Sequence, residues 1–290
     1  MIYKNNNLIS QLYIIWDFDA AIGQINSTYP YNYHEELLYK EIENVEKILK
    51  YVFDRKVPMI FAITGFSAEK GIFPFHFRDL IRKIYFEGHE IASHSWKHEW
   101  IPFLEQEQLV KSLKRSKMIL EDCVGEKDIV KGFVPPFSRP MSWLTKGAFS
   151  LGDKALGPNF KCNDIQKIIP IVKNIGYEWM RVTYRTLFEK INNLDKPSAL
   201  KREWYDESGL LCIPNNYVGF DNKAIDVLNL GIKNQRDIII SGHPSGLSRN
   251  GSENIKNFKS FIDFVIKKRD EKTLGELFCF FILETILIGK

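Results

Sequence analysis

The sequence predicts a single-domain α/β fold built on parallel strands, of the barrel kind. Short apolar runs alternate with helix-periodic stretches along the chain, the pattern of βαβ units feeding a parallel sheet. Two apolar runs, Tyr13–Trp16 and Asp237–Ser241, lead directly into carboxylates or a histidine, and a third, Glu90–Ala92, precedes a histidine pair. In α/β barrels the C-terminal ends of the strands are where catalytic groups gather. A chain of 290 residues with 44% hydrophobic side chains has the length and apolar content for one such domain.

The elements follow in order. Tyr13–Trp16 is the first strand. Glu35–Phe53 carries Leu37, Leu38, Ile42, Val45, Ile48, Leu49 and Val52 at helical spacing. Pro58–Ile63 is a strand, Arg78–Phe86 a helix, and Glu90–Ala92 a short strand. Glu105–Cys123 is helical, and Gly132–Val134 is a strand ahead of a double proline. A helix over Asp164–Ile175 leads to a strand at Trp179–Thr183. Residues 185–209 are polar and read as a loop covering one face. Leu210–Ile213 and Asp237–Ser241 are later strands, with helices near Asp221–Leu230 and Glu253–Lys267. The three consecutive isoleucines of the Asp237 run fit a strand covered on both faces. Phe278–Ile288 is too short to span a bilayer and predicts a last helix packed on the barrel, with contact to a membrane surface as the sharper alternative.

Composition excludes several classes. With 40 basic against 36 acidic residues the formal charge is +4, close to balance. No basic run or basic-aromatic stripe suggests nucleic acid. The cysteines at 123, 162, 212 and 279 lack CxxC spacing, which argues for free thiols in a reducing compartment. The first catalytic strand begins almost at the N-terminus, and no 18-residue apolar run occurs, so the expectation is a cytoplasmic protein without a signal peptide.

The chemistry concentrates in three places. His94-Ser-Trp-Lys-His98 spaces two imidazoles four apart, which on one helical turn directs both to one metal ion. Trp16-Asp17-Phe18-Asp19 ends the first strand with two carboxylates on one strand face. Ser241-Gly242-His243-Pro244 halts a buried strand and leaves an imidazole just past its end. Two histidines and one carboxylate, with a second Asp beside them, read as a metal-assisted hydrolase. His34, His76 and His89 are set aside as loop or structural residues. Zinc is the expected ion, and cobalt, nickel or iron also suit such donors.

On these motifs the chain resembles the polysaccharide deacetylases, the NodB-homology group known as carbohydrate esterase family 4. The DxDA form at residues 17–20 is similar to peptidoglycan-deacetylase-like members, and His94 to His98 matches the family's H-[ST]-x-x-H in full. Gly132-Phe-Val-Pro-Pro-Phe137 keeps the prolines of the third motif but has Val134 where the family has Arg. Tyr177-Glu-Trp-Met-Arg181 keeps only the Trp of the fourth. The resemblance covers roughly residues 12–275 and leaves an apolar C-terminal helix at 276–290. It implies a distorted (β/α) barrel of about seven parallel strands, similar to a TIM barrel. It also implies that Asp17 is the general base, that Asp19, His94 and His98 are the metal ligands, and that His243 is the general acid. The Phe137 backbone N–H would be an oxyanion donor, with Trp179 beside the acyl group. Trp96 is equally readable as acyl wall or core. Arg139 or Arg181 would replace the missing Arg.

The expected reaction is hydrolysis of an N-acyl group, N-acetyl first, from a nucleotide-linked or lipid-linked aminosugar in cytoplasmic glycan biosynthesis, at the inner membrane face if the C-terminus touches lipid. Alternatives are deformylation of a lipid-linked aminosugar, or a sugar-binding member altered in catalysis. A more distant one is a haloacid-dehalogenase-like phosphatase, for which Gly152-Asp153-Lys154 is the only near match to the lysine such a fold needs. Oligomeric state has no signature in the sequence.

Overall fold

The computed structural model describes residues 2–3, 10–27, 34–101, 104–138, 165–182 and 203–275. Ten strands form one sheet in the order β1-β7-β8-β6-β5-β4-β3-β2-β10-β9. They are β1 (Ile2–Tyr3), β2 (Leu12–Phe18), β3 (Ile60–Ile63), β4 (Glu90–Ser93), β5 (Gly132–Phe133), β6 (Trp179–Arg181), β7 (Trp204–Tyr205), β8 (Leu211–Ile213), β9 (Tyr217–Val218) and β10 (Ile238–Gly242). The run from β8 to β9 is parallel throughout, and β7 and β1 add an antiparallel margin. The helices are α1 (Ala20–Ser27), α2 (Glu36–Val52), α3 (Arg78–Phe86), α4 (Gln106–Val124), α5 (Ile165–Ile175), α6 (Asn222–Lys233) and α7 (Ile255–Asp270).

Alternation along the strands sorts the core into two layers. Leu12, Ile14, Trp16 and Phe18 of β2 face the helices, and Trp16 packs against Phe220 and Phe258 with ring centroids 4.9 and 5.2 Å away. Tyr13 and Ile15 face inward, joining Ile60, Ala62, Ala92, Val134, Trp179, Leu211, Ile213 and Ile239. All seven residues of β2 are buried, as a central parallel strand requires. Arg181 of β6 touches Asp17 of β2 although β5, β4 and β3 lie between them in the sheet. The sheet is therefore curled into a partial barrel, and residues of inward parity at its C-terminal edge meet across the mouth.

Four small elements depart from the expectations, the first being β1, which precedes the strand read as first and pairs with β7. α1 was not foreseen, because Ala-Ala-Ile-Gly-Gln-Ile-Asn-Ser is short, uncharged and carries a glycine. The stretch read as loop at 185–209 contains β7, a two-residue strand held by its pairing with β8 rather than by its own propensity. β9 is likewise too short to show periodicity. The C-terminal helix expected at 276–290 lies outside the described residues. No helix among the described residues is long and apolar enough to cross a membrane.

Candidate active site

Strand register brings the chemistry together. Gly242 of β10 pairs with Trp16 of β2, so His243 follows beside Asp17. Ser93 of β4 pairs with Ile63 and with Phe133, which sets His94 next to Val134 at the mouth. Gly242 has a packing reason: a Cβ there would meet the Phe220 ring at 2.5 Å and the Trp16 ring at 3.2 Å.

Asp19, His94 and His98 form a cluster whose ligand atoms lie within 4.8 Å of one another. Asp19 Oδ1 is 3.2 Å from His94 Nε2 and 3.3 Å from His98 Nε2. Ligands held about 2.0–2.1 Å from one tetrahedral ion lie roughly 3.3 Å apart, so these donors fit a shared divalent metal. The other ring nitrogens are also engaged. His94 Nδ1 lies 2.7 Å from the Val134 carbonyl oxygen, and His98 Nδ1 lies 3.4 Å from Ser27 Oγ. Such partners fix which nitrogen faces the ion. Burial pushes the Asp19 carboxyl upward, but the neighbouring His98, His94 and His243 outweigh it and hold it well below the usual range.

The histidine pair does not sit on a helix, as its spacing had suggested. Residues 94–98 form a tight turn in which Ser95 and His98 take left-handed backbone, with φ 62° and 59°. The Glu99 carboxylate organises that turn, accepting from Ser95 Oγ at 2.6 Å, the Lys97 N–H at 2.8 Å and Ser112 Oγ at 3.0 Å. The imidazoles meet with centroids 4.9 Å apart. Spacing alone does not distinguish such a turn from a helical one.

Asp17 is buried and held by both Arg181 nitrogens, Nη1 on Oδ1 at 2.6 Å and Nη2 on Oδ2. Burial would raise its pKa. The charge and hydrogen bonds of Arg181, with His94 and His243, bring it net below the ordinary value. Arg181 thus stands where the family's missing Arg was sought, while Val134 contributes its carbonyl. Arg139 lies outside the described residues.

His243 places Nε2 3.9 Å from Asp17 Oδ2, and its side chain is 38% exposed. Its Nδ1 and backbone N–H both reach Glu253 Oε1, at 2.9 and 2.6 Å. Burial lowers its pKa, but the hydrogen bond and charge of Glu253, then Asp17 and Asp19, push it up to about 10. Glu253 was not anticipated, since ten residues and a loop separate it from His243. Gly246 permits the pairing, because a Cβ there would meet Glu253 Cβ at 2.7 Å.

The aromatic expectations divide. Phe137, with φ 59°, packs its ring on His98 at 4.6 Å and on Trp100 at 5.1 Å, beside the metal cluster. Trp179 is fully buried and donates its indole N–H to Glu90 Oε1 at 2.8 Å. It lies in the inward-facing layer of the barrel, two residues before Arg181 on β6. Trp96 lies under the Arg115 guanidinium of α4 at 3.2 Å, a packing position. His89 is buried and structural, with burial lowering its pKa to about 4. His34 is exposed at the start of α2, and His76 Nδ1 lies 3.0 Å from the Phe66 carbonyl oxygen.

Comparison with known proteins bears on the fold. Residues 36–154 match the family model described as polysaccharide deacetylase. A Mycobacterium smegmatis chain assigned to the polysaccharide deacetylases superposes with TM-score 0.60 at 16% identity, covering 96% of this chain and 97% of that one. An allantoinase superposes with TM-score 0.54 at 14% identity, covering 89% and 83%. A pseudoenzyme of carbohydrate esterase family 4 from Bacillus anthracis gives TM-score 0.46 at 12% identity, covering 94% and 64%. Identities this low speak for the fold alone. No curated protein matches at the sequence level. Over residues 36–154 the chain is thus similar to the polysaccharide deacetylases, and its fold is of the kind found in these solved structures.

Proposed function

We propose that the protein is a metal-dependent hydrolase that removes an N-acyl group, N-acetyl first, from an aminosugar carried on a nucleotide or lipid. The observation behind this is the convergence of an ionised carboxylate, Asp17, and a proton-bearing imidazole, His243, beside a three-donor metal cluster. A sugar-binding protein without chemistry would need neither group. A phosphatase using Asp17 as nucleophile would need that carboxylate free, whereas Arg181 grips both its oxygens. Gly152-Asp153-Lys154, on which that rival leaned, lies outside the described residues.

Asp19, His94 and His98 would hold the ion, zinc first, with cobalt, nickel or iron as alternatives. When bound, it would lower the pKa of water and polarise the acyl oxygen. Asp17 accepts the proton of the attacking water, and Arg181 keeps it ionised for that task. The Phe137 backbone N–H is the proposed donor to the oxyanion. His243 Nε2 gives its proton to the departing amide nitrogen, which leaves poorly as an anion. Glu253 holds the opposite ring nitrogen, fixing the tautomer with Nδ1 protonated. A reducing, cytoplasmic setting is part of the reading, supported by Cys123 and Cys212 as buried free thiols. Cys162 and Cys279 lie outside the described residues.

The test is a mass-spectrometric screen of N-acyl nucleotide sugars and lipid-linked sugars with metal-loaded protein. Loss of an acyl mass from one class, absent in His94→Ala/His98→Ala, is the expected result. No acyl loss from any N-acylated sugar, with metal bound, would remove this reading.

A further inference from the structure

One buried acid has no part in that mechanism. Glu41 of α2 is 0% exposed, and its Oε2 accepts from Gln24 Nε2 of α1 at 2.8 Å. Its Oε1 has no hydrogen-bond partner among the described residues. A carboxyl placed so deeply is costly, and an apolar side chain would pack there without desolvation. Burial, then the charge of Asp19, push its pKa up to about 8.

What Glu41 holds is α1, and α1 bears on two of the three metal donors. The helix starts on the Asp19 carbonyl, which accepts from the Gly23 N–H at 3.0 Å. A Cβ on Gly23 would meet Asp19 Cβ at 2.7 Å and the His98 ring at 3.2 Å, so backbone lies directly against both residues. Asn26 donates to the Lys97 carbonyl inside the histidine turn, and Ser27 Oγ lies against His98 Nδ1. α1 has no charged residue of its own. The Gln24–Glu41 bond is the side-chain hydrogen bond shown between α1 and α2. One turn on, Asn44 of α2 donates to the Pro244 carbonyl at 2.9 Å and to Ser248 Oγ at 2.8 Å, on the segment that follows His243.

We propose that Glu41 is a positioning residue for the metal centre: through Gln24 it seats α1, and α1 holds Asp19 and His98 in ligating arrangement. The inference rests on the assignment of Asp19, His94 and His98 as metal ligands. Because the side chain acts through a hydrogen bond accepted from Gln24, glutamine, whose amide oxygen can accept the same bond, should replace it and an apolar residue should not.

The test reads metal affinity and needs no substrate. The zinc dissociation constant is measured by chelator competition, and the cobalt-substituted protein is compared by its visible ligand-field spectrum. Glu41→Leu should weaken zinc binding 10- to 100-fold and alter the cobalt spectrum, the range seen when partners of ligating residues are removed. Glu41→Gln should restore both to within about threefold. Gln24→Ala, which breaks the same bond from the half-buried α1 side and keeps Glu41 in place, should reproduce the Glu41→Leu loss and decides the matter if that variant fails to fold. Combining Gln24→Ala with Glu41→Leu should add little, since both break one bond. Wild-type zinc affinity in folded Gln24→Ala would overturn the proposal, as would a Glu41→Gln variant as impaired as Glu41→Leu. Failure of the wild type to bind zinc at all would instead overturn the ligand assignment.

Discussion

At the residue scale the proposed mechanism needs a base and an acid, and the two candidates differ in environment. Asp17 and His243 lie 3.9 Å apart yet are driven in opposite directions: Arg181 lowers one and Glu253 raises the other. Removing Arg181 leaves the Asp17 carboxyl with the burial that raises its pKa. Arg181→Met should therefore move the acidic limb of the pH–rate profile to higher pH, and an unmoved limb would dissociate Arg181 from the base. For the acid, His243→Ala should reduce turnover on an amide by about 10²–10⁴ while zinc still binds. The loss should shrink for an activated ester, whose leaving group needs no proton. Equal losses on amide and ester would assign His243 to positioning instead. The sequence named Arg181 and Arg139 as the candidates, and strand alternation, a local property, puts Arg181 on the same inward face as Trp179 two residues before it. Glu253 was not legible, since its role depends on how a loop returns over His243. The place of Trp179 beside an acyl group came from the resemblance alone, and a motif does not give the depth of a side chain, which is fully buried here.

At the element scale, the long amphipathic helices and the apolar strands were readable because their periodicity spans several turns or pleats. α2, expected over Glu35–Phe53, is observed over Glu36–Val52. β1, α1, β7 and β9 were not, because tertiary partners hold them. The turn at 94–98 shows the same limit, since HxxxH spacing arises there from two left-handed residues. β5 is a case in which a single position decides how elements pack. A Cβ on Gly132 would come within 2.0 Å of the Trp179 ring of β6, which is anchored by its bond to Glu90. Gly132→Ala must displace that indole, and overpacking of this kind costs about 1–3 kcal/mol. Chemical denaturation should show the loss as a lower midpoint with unchanged slope. A midpoint equal to wild type would mean that the β5–β6 floor is looser than its contacts indicate.

At the scale of the whole molecule, the curled sheet brings donors from separate strand ends to one mouth, so on the proposed metal site ion binding and folding should be linked. An ion that binds the folded chain alone stabilises it by about 2.7 kcal/mol at a hundredfold excess over its dissociation constant. For a chain of this size that is a rise of roughly 5–10 °C in Tm, which His94→Ala/His98→Ala should abolish. The opposite end of the barrel sets a separate limit on the metal-free protein. There His89 accepts the Met59 N–H at 3.1 Å, and burial lowers its pKa from 6.5 to about 4. The folded chain thus prefers the neutral ring more strongly than the unfolded chain does. This contribution is intact above pH 6.5 and is lost as pH falls through the window down to about 4. A shift of that size amounts to roughly 3 kcal/mol. His89→Gln can keep an acceptor for Met59 without titrating. With chelator present, its stability should fall less than that of wild type between pH 7 and pH 4. Parallel losses in the two proteins would place the acid sensitivity at the mouth of the barrel instead of its base.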